Sequence, residues 1–201
     1  MAKPLRRGSY AKGIAKREEI LERALEVIAR DGYSGASVKT LAEEVNLSQA
    51  GLLHYFGTKD DLFVEILRKR DEVDSLRFGE VEAAAATADF EAVRAGYLET
   101  VTHNCQVPGL VELFTRLAAE AADPAHPAHA FFVQRQARIL DLFTTVLEAG
   151  QRNGQVTNAI QAGTMARILQ ATADGLQQQW LLDPDVDMAA TIETVFALLR
   201  P

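Results

Sequence analysis

Gln49, Ala50 and Gly51, directly after Ser48, form the one short run whose residue types match a definite chemistry. A glutamine amide can bridge N6 and N7 of adenine, and an alanine methyl can touch the thymine methyl. Gly51 permits close backbone approach, at some cost in helix stability. Ser37, Thr40 and Ser48 add small hydroxyl donors nearby, although capping alone accounts for Ser37 and Ser48. These types suit the reading of a duplex. Solvent-facing side chains without a partner are the plain alternative.

Other chemistry finds little support. The sequence holds no glycine-rich phosphate loop, GxSxG elbow or HExxH, and scattered Ser, His and Asp establish no triad. The expectation is a non-enzyme without a cofactor. His103-Asn104-Cys105 and His126-Pro127-Ala128-His129 carry three histidines and the lone thiol, but at spacings unlike a zinc site. No metal is expected.

The elements around Gln49 follow from spacing. Ser37 is a good N-cap, and Val38, Leu41, Ala42 and Val45 recur on one helical face. Asn46, Leu47 and Ser48 interrupt that stripe, and Ser48 can cap a second short helix burying Leu52 and Phe56. Two short helices at a tight polar corner need a third to complete a core. A helix from about Ala15 to Arg30 supplies it through Ile20, Leu21, Ala24, Leu25 and Ile28, ending at Asp31-Gly32. Tyr33 lies against the same core. The arrangement is a helix-turn-helix, whose second helix enters the major groove N-terminus first. Gly57 then breaks the chain. Thr58 with Asp61 resembles a capping box opening a fourth helix, which could reach Leu76.

LAEEVNLSQAGLLHYFGTKDDLF resembles the signature of the TetR family of transcriptional regulators. The matching elements are Ala42, Ser48, Leu52 to Phe56, and Thr58 to Leu62, within roughly residues 15 to 65. Gln49 and Ala50 stand where many members have Lys and Gly, and Leu53 replaces a common Tyr. The departures bear on operator sequence, not on fold. The resemblance implies that His54, Tyr55 and Lys59 reach the DNA backbone, Lys59 helped by a free helix N-terminus at Thr58. It also implies a body enclosing a small organic effector, with Tyr97, Phe114, Phe132, Arg135, Phe143, Arg167 and Gln178 as candidate lining. A buried Arg suggests an anionic or polar ligand. The same aromatics fit plain core packing, and Asp174 could neutralise Arg167 within the fold. Ile168, Leu176, Trp180, Val195 and Leu198 on the last two helices are candidates for pairing across a two-fold axis, as in the family.

Net charge alone misleads here. The total is −7, but residues 1 to 70 hold 13 basic and 10 acidic side chains, whereas residues 71 to 201 hold 8 and 18. A basic head on an acidic body brings DNA to one end and repels it elsewhere. The first 17 residues carry six basic and no acidic side chains, and residues 1 to 14 are expected to form a flexible basic arm. No apolar stretch follows them and no long apolar run occurs, so neither a secretory signal nor a membrane span is expected, and the expected location is cytoplasmic.

With 48% apolar and 24% charged residues, 201 residues make an ordinary folded chain with a small head and a larger body. The expected division is 15 to 57 for the DNA-binding domain and 58 to 201 for a ligand-binding and dimerisation domain. The fold class is all-α, with three helices in the head and six in the body. The body helices are expected at about 58–76, 89–104, 108–122, 128–150, 158–182 and 186–199, with an alanine run at 83 to 86. The functional expectation is a dimeric, ligand-responsive repressor on a palindromic operator. A constitutive DNA-binding or architectural protein, or a helical interaction module, are the competing readings.

Overall fold

The computed structural model describes residues 7–77, 87 and 89–201. Among them it forms nine helices and no strand: α1 (Arg7–Gly35), α2 (Val38–Glu44), α3 (Gln49–Phe56), α4 (Lys59–Arg77), α5 (Phe90–Asn104), α6 (Pro108–Glu120), α7 (His129–Arg152), α8 (Ala162–Leu182) and α9 (Met188–Leu198).

Local signals set most boundaries. Ser37 and Ser48 cap α2 and α3, Asp89 caps α5, and Asp187 caps α9. Pro108 opens α6, where its missing N–H is harmless. Asn46 takes the α2–α3 corner at φ 55°, a conformation asparagine tolerates.

Three boundaries differ from expectation. α1 begins at Arg7, so residues 7 to 14 of the expected flexible arm are helical; residues 1–6 lie outside the described part. Ala11, Lys12, Ala15 and Lys16 favour helix, which outweighs two glycine penalties of about 1 kcal/mol each. The expected break at Gly32 is present, with φ at 75°, and a short further helical turn carries the chain to Gly35. α7 runs to Arg152 rather than ending at Gly150, because Gly150 serves packing: a β-carbon there would lie 2.6 Å from Val156 Cγ2. The terminating glycine is Gly154, at φ 72°. α8 starts at Ala162 because Gln151 Nε2 donates to the Thr157 and Ile160 carbonyls and holds that segment as a turn. The alanine run at 83–86 lies outside the described residues.

The apolar interior is in two parts. One joins α1, α2, α3 and α4 with Leu110, Leu113, Phe114 and Leu117 of α6 and Phe131 of α7. The other is built by α5, the second half of α7, α8 and α9. α4 thus buries Leu62, Phe63, Val64, Ile66 and Leu67 in the same core as the helix-turn-helix. α6 meets α1 at backbone distance. A β-carbon on Gly109 would fall 2.2 Å from the Ile28 carbonyl oxygen and 2.8 Å from Gly32 Cα. Head and body are pressed together there with no side chain between.

Candidate nucleic-acid interface and body cleft

α3 projects its first turn into solvent. Ser48 Oγ accepts from Gly51 N at 3.0 Å, leaving Gln49 and Ala50 exposed, while Leu52 and Phe56 anchor the opposite face. Gly51 is half-buried and its α-carbon faces the Ser48 cap; a β-carbon would come within 3.2 Å of Ser48 Oγ. Ser37 Oγ accepts from Thr40 N at 3.1 Å and shares a 2.9 Å hydrogen bond with Thr40 Oγ1. His54 is exposed, and its ring meets Tyr55 edge-on at 6.2 Å. Tyr55 is half-buried against the head core, so only part of that pair is free.

Lys59 is exposed, with Nζ 5.6 Å from the Phe63 ring centroid. The helix N-terminus beside it is closed in part by its own side chains. Thr58 N and Oγ1 both donate to Asp61 Oδ2, and Asp61 N donates back to Thr58 Oγ1. That reciprocal box occupies the N–H groups of Thr58 and Asp61. The first-turn N–H groups of Lys59 and Asp60 remain for a phosphate contact, beside the Lys59 ammonium.

Two cations of α1 hold the reading unit in place. Lys16 Nζ donates to the Val45 carbonyl at 3.2 Å, and Arg17 Nη1 donates to the Tyr55 carbonyl at 2.6 Å. Each lies at the C-terminal end of a short helix, where carbonyls lack partners and positive charge is favourable. Arg17 also stacks 4.5 Å over Phe56 and pairs with Glu65 of α4 at 2.7 Å. It therefore ties α1, α3 and α4 together. Sequence reading missed both residues. The only signal was their position one turn before the apolar stripe of α1.

In the body, Phe114, Phe132, Arg135, Gln170, Asp174 and Gln178 line a cleft of about 410 Å³. Adjoining it is a space of about 60 Å³ that includes Tyr97, Arg135, Gln170 and Asp174. Another of about 140 Å³ is lined by Asp71, Tyr97, Arg135 and Phe143. Arg135 borders all three. Six of the seven expected lining residues, Arg135 among them, thus border these spaces. Arg167 does not: it is exposed on α8 and absent from these walls, so Asp174 does not neutralise it. Gln170 and Asp174 were not among the expected lining; their i, i+4 spacing on α8 was the available signal.

α4 is bound to these walls by consecutive charged residues. Arg70, 7% exposed, donates to Asn104 Oδ1 at 2.6 Å and the Leu110 carbonyl at 3.2 Å, and lies 3.5 Å from Asp74. Burial pulls its guanidinium pKa down, with Asp74 opposing. Asp71 accepts from Arg135 Nε at 2.9 Å. The Tyr97 hydroxyl is pushed well above its ordinary range by burial. Asp174 is exposed in the cleft wall, and partial desolvation raises its carboxyl pKa, with Arg135 opposing.

Of the expected pairing residues, Ile168 and Leu198 are exposed, at 44% and 74%. Trp180 and Val195 are partly buried against their own core. Leu176 is buried at 6% exposure inside the protomer, so it is a core residue rather than a surface one. Leu182, at 84% exposure, was not anticipated. Among the described residues no group of three potential metal ligands occurs. His126 and His129 instead bond to the backbone of their own loop and of Ala121. Among the described residues no helix is long and apolar enough to cross a membrane.

Residues 20–66 match the family described as "Bacterial regulatory proteins, tetR family". The chain is 29% identical over 175 residues to the HTH-type transcriptional repressor AcnR of Corynebacterium diphtheriae, covering 86% of this chain and 84% of that one. The chain is thus similar to the TetR family through residues 20–66, and to a transcriptional repressor over most of its length. The fold superposes on a TetR transcription regulator from Haloarcula marismortui with a TM-score of 0.75, at 22% identity over 92% and 96% of the two chains. It also superposes on Thermus thermophilus FadR, a repressor crystallised in complex with lauroyl-CoA, with a TM-score of 0.64 at 18% identity, over 91% and 92%. At those identities the likeness concerns fold alone. The relatives are transcriptional repressors, which supports a DNA-binding regulatory role for this chain rather than an enzymatic one.

Proposed function

We propose that the protein is a ligand-responsive repressor that binds a palindromic operator as a homodimer, acting on chromosomal DNA in the cytoplasm. Gln49, Ala50 and Gly51 read bases; Ser37, Thr40, Ser48, His54, Tyr55 and Lys59 contact the backbone. Residues 15 to 57 form the reading unit, and residues 58 to 201 the effector and pairing unit. α3 is eight residues long, too short to supply high specificity from one copy. A second copy is supplied by pairing of α8 and α9. Their outer faces carry Ile168, Leu182 and Leu198 among small residues such as Ala171, Ala190 and Ala197.

The observation that carries the regulatory reading is the direct bond from α4 to the cleft, Asp71 to Arg135. A small organic effector that engages Arg135 or its neighbours perturbs the helix that shares the core of the DNA-reading unit. Such an effector acts only through different affinities for the DNA-competent and DNA-incompetent arrangements. A hundredfold loss of operator affinity needs about 2.8 kcal/mol of coupling, within the usual range. The test is a titration of selected operator DNA with and without a compound shown crystallographically to fill the cleft. Weakened binding is expected. A cleft-bound compound that leaves operator affinity unchanged contradicts the regulatory reading.

A further inference from the structure

A guanidinium in a cleft wall ordinarily recruits an anion, and Arg135 read from sequence points that way. The structure reverses the balance. Arg135 Nε already donates to both carboxylate oxygens of Asp71, at 2.9 and 3.3 Å, and its guanidinium lies 4.8 Å over the Phe114 ring. Arg70 is likewise used by Asn104, the Leu110 carbonyl and Asp74. Both guanidiniums are engaged by protein acceptors, Arg135 through Nε.

Two acceptors in the same walls are not. Asp174 makes no hydrogen bond or ion pair among the described residues, although it borders both the larger cleft and the small space beside it. Gln170, one turn earlier on α8, is 7% exposed, and its Oε1 has no hydrogen-bond partner. The buried Gln170 amide oxygen is unfavourable until a donor arrives, and the Asp174 carboxylate, exposed in the cleft wall, is open to a charge partner. Neither can be satisfied by an anion.

We propose that the cleft takes an organic cation bearing N–H donors, a protonated amine. Its charge sits against Asp174, an N–H reaches Gln170 Oε1, and its apolar body packs on Phe132 and Phe114. The cation occupies the α8 side of the cleft, since Arg135 on the opposite wall repels it. Burial holds the Asp174 carboxyl above its usual range, the setting in which a charge partner contributes most. Residues 71 to 201, with 8 basic and 18 acidic side chains, also draw cations toward the body. The cleft volume of about 410 Å³ suits a molecule of drug size. This inference rests on the reading that the body cleft holds the effector.

The experiment is calorimetric titration of the full chain with a series of phenylalkylammonium ions, the phenylalkyl alcohols and the phenylalkanoates of matched length. The ammonium ions should bind at least about tenfold more tightly than either counterpart. Asp174→Asn should abolish that preference, Asp174→Glu should restore it, and Gln170→Leu should weaken the ammonium ions alone. Circular dichroism verifies that each variant is folded. Preference for the alkanoates, equal binding of all three classes, no binding at millimolar concentration, or indifference to Asp174→Asn would each overturn the proposal. Ammonium binding without a change in operator affinity supports this inference and counts against the regulatory reading alone, so the two fail separately.

Discussion

At the residue scale, Gln49 and Lys59 differ in the kind of contact they offer, and their loss should be told apart by salt and by sequence. Gln49→Ala should cost about 1–3 kcal/mol at one preferred base and relax selectivity there. Lys59→Ala should weaken all duplexes alike and lower the salt slope by about one phosphate contact. Titrations over several salt concentrations separate the two patterns; an unchanged slope removes Lys59 from the interface. Asp174 gives a prediction in the free protein. Its folded-state pKa is raised, so folding favours the proton, and stability falls as pH climbs from the ordinary carboxylate value through the raised one. Asp174→Asn should therefore melt higher than the parent at neutral pH, and the gap should close below about pH 4. A gap that persists in acid places the effect elsewhere. The exposed residues of α3 were legible because Ser48 and the Leu52/Phe56 spacing orient that helix locally. The sign of the cleft was not. It depends on Asp71 neutralising Arg135 from 64 residues away, which no spacing announces.

The helices divide by how local their causes are. α2, α3 and α4 begin where their caps stand, because a cap and its N–H partner lie three residues apart. The Lys16 and Arg17 contacts that hold α2 and α3 come from partners 29 and 38 residues on, and so escaped the sequence reading. Likewise Gly109 reads in sequence as a residue of a helix start, and only the fold shows it against the α1 backbone. Gly109→Ala should force α6 off α1, because its β-carbon would sit 2.2 Å from a carbonyl oxygen that cannot rotate away. Overpacking of that kind destabilises by about 1–3 kcal/mol. Thermal denaturation should show the loss, and amide exchange should localise it to α1 and α6. A melting temperature at or above the parent value would mean that the two helices have room to spare.

For the whole molecule, the two-part interior supports the proposal that one chain both reads DNA and reports on a cleft. The first core unites α1 to α4 with α6, while the second unites α5, α8 and α9, and α7 contributes to both. The buried Arg70 and the Asp71–Arg135 bond lie where α4 leaves the first core. Pairing through α8 and α9 would then hold two heads at a spacing that the cleft can alter. Sedimentation at micromolar concentration should give a species near twice 22.0 kDa. Leu182→Glu with Leu198→Glu should halve it, since both side chains face solvent in the protomer and neither is needed by its core. A parent chain that is monomeric both free and on DNA would contradict the paired arrangement. The central claim, sequence-specific binding by two reading helices, is tested most directly by selecting duplexes from a random pool with the full chain. The account predicts enrichment of an inverted repeat with half-sites centred about 10 base pairs, or a multiple of it, apart, bound in the range of about 10⁻⁸–10⁻¹¹ M. A pool that shows no enriched sequence, or a single half-site bound by one copy, would contradict it.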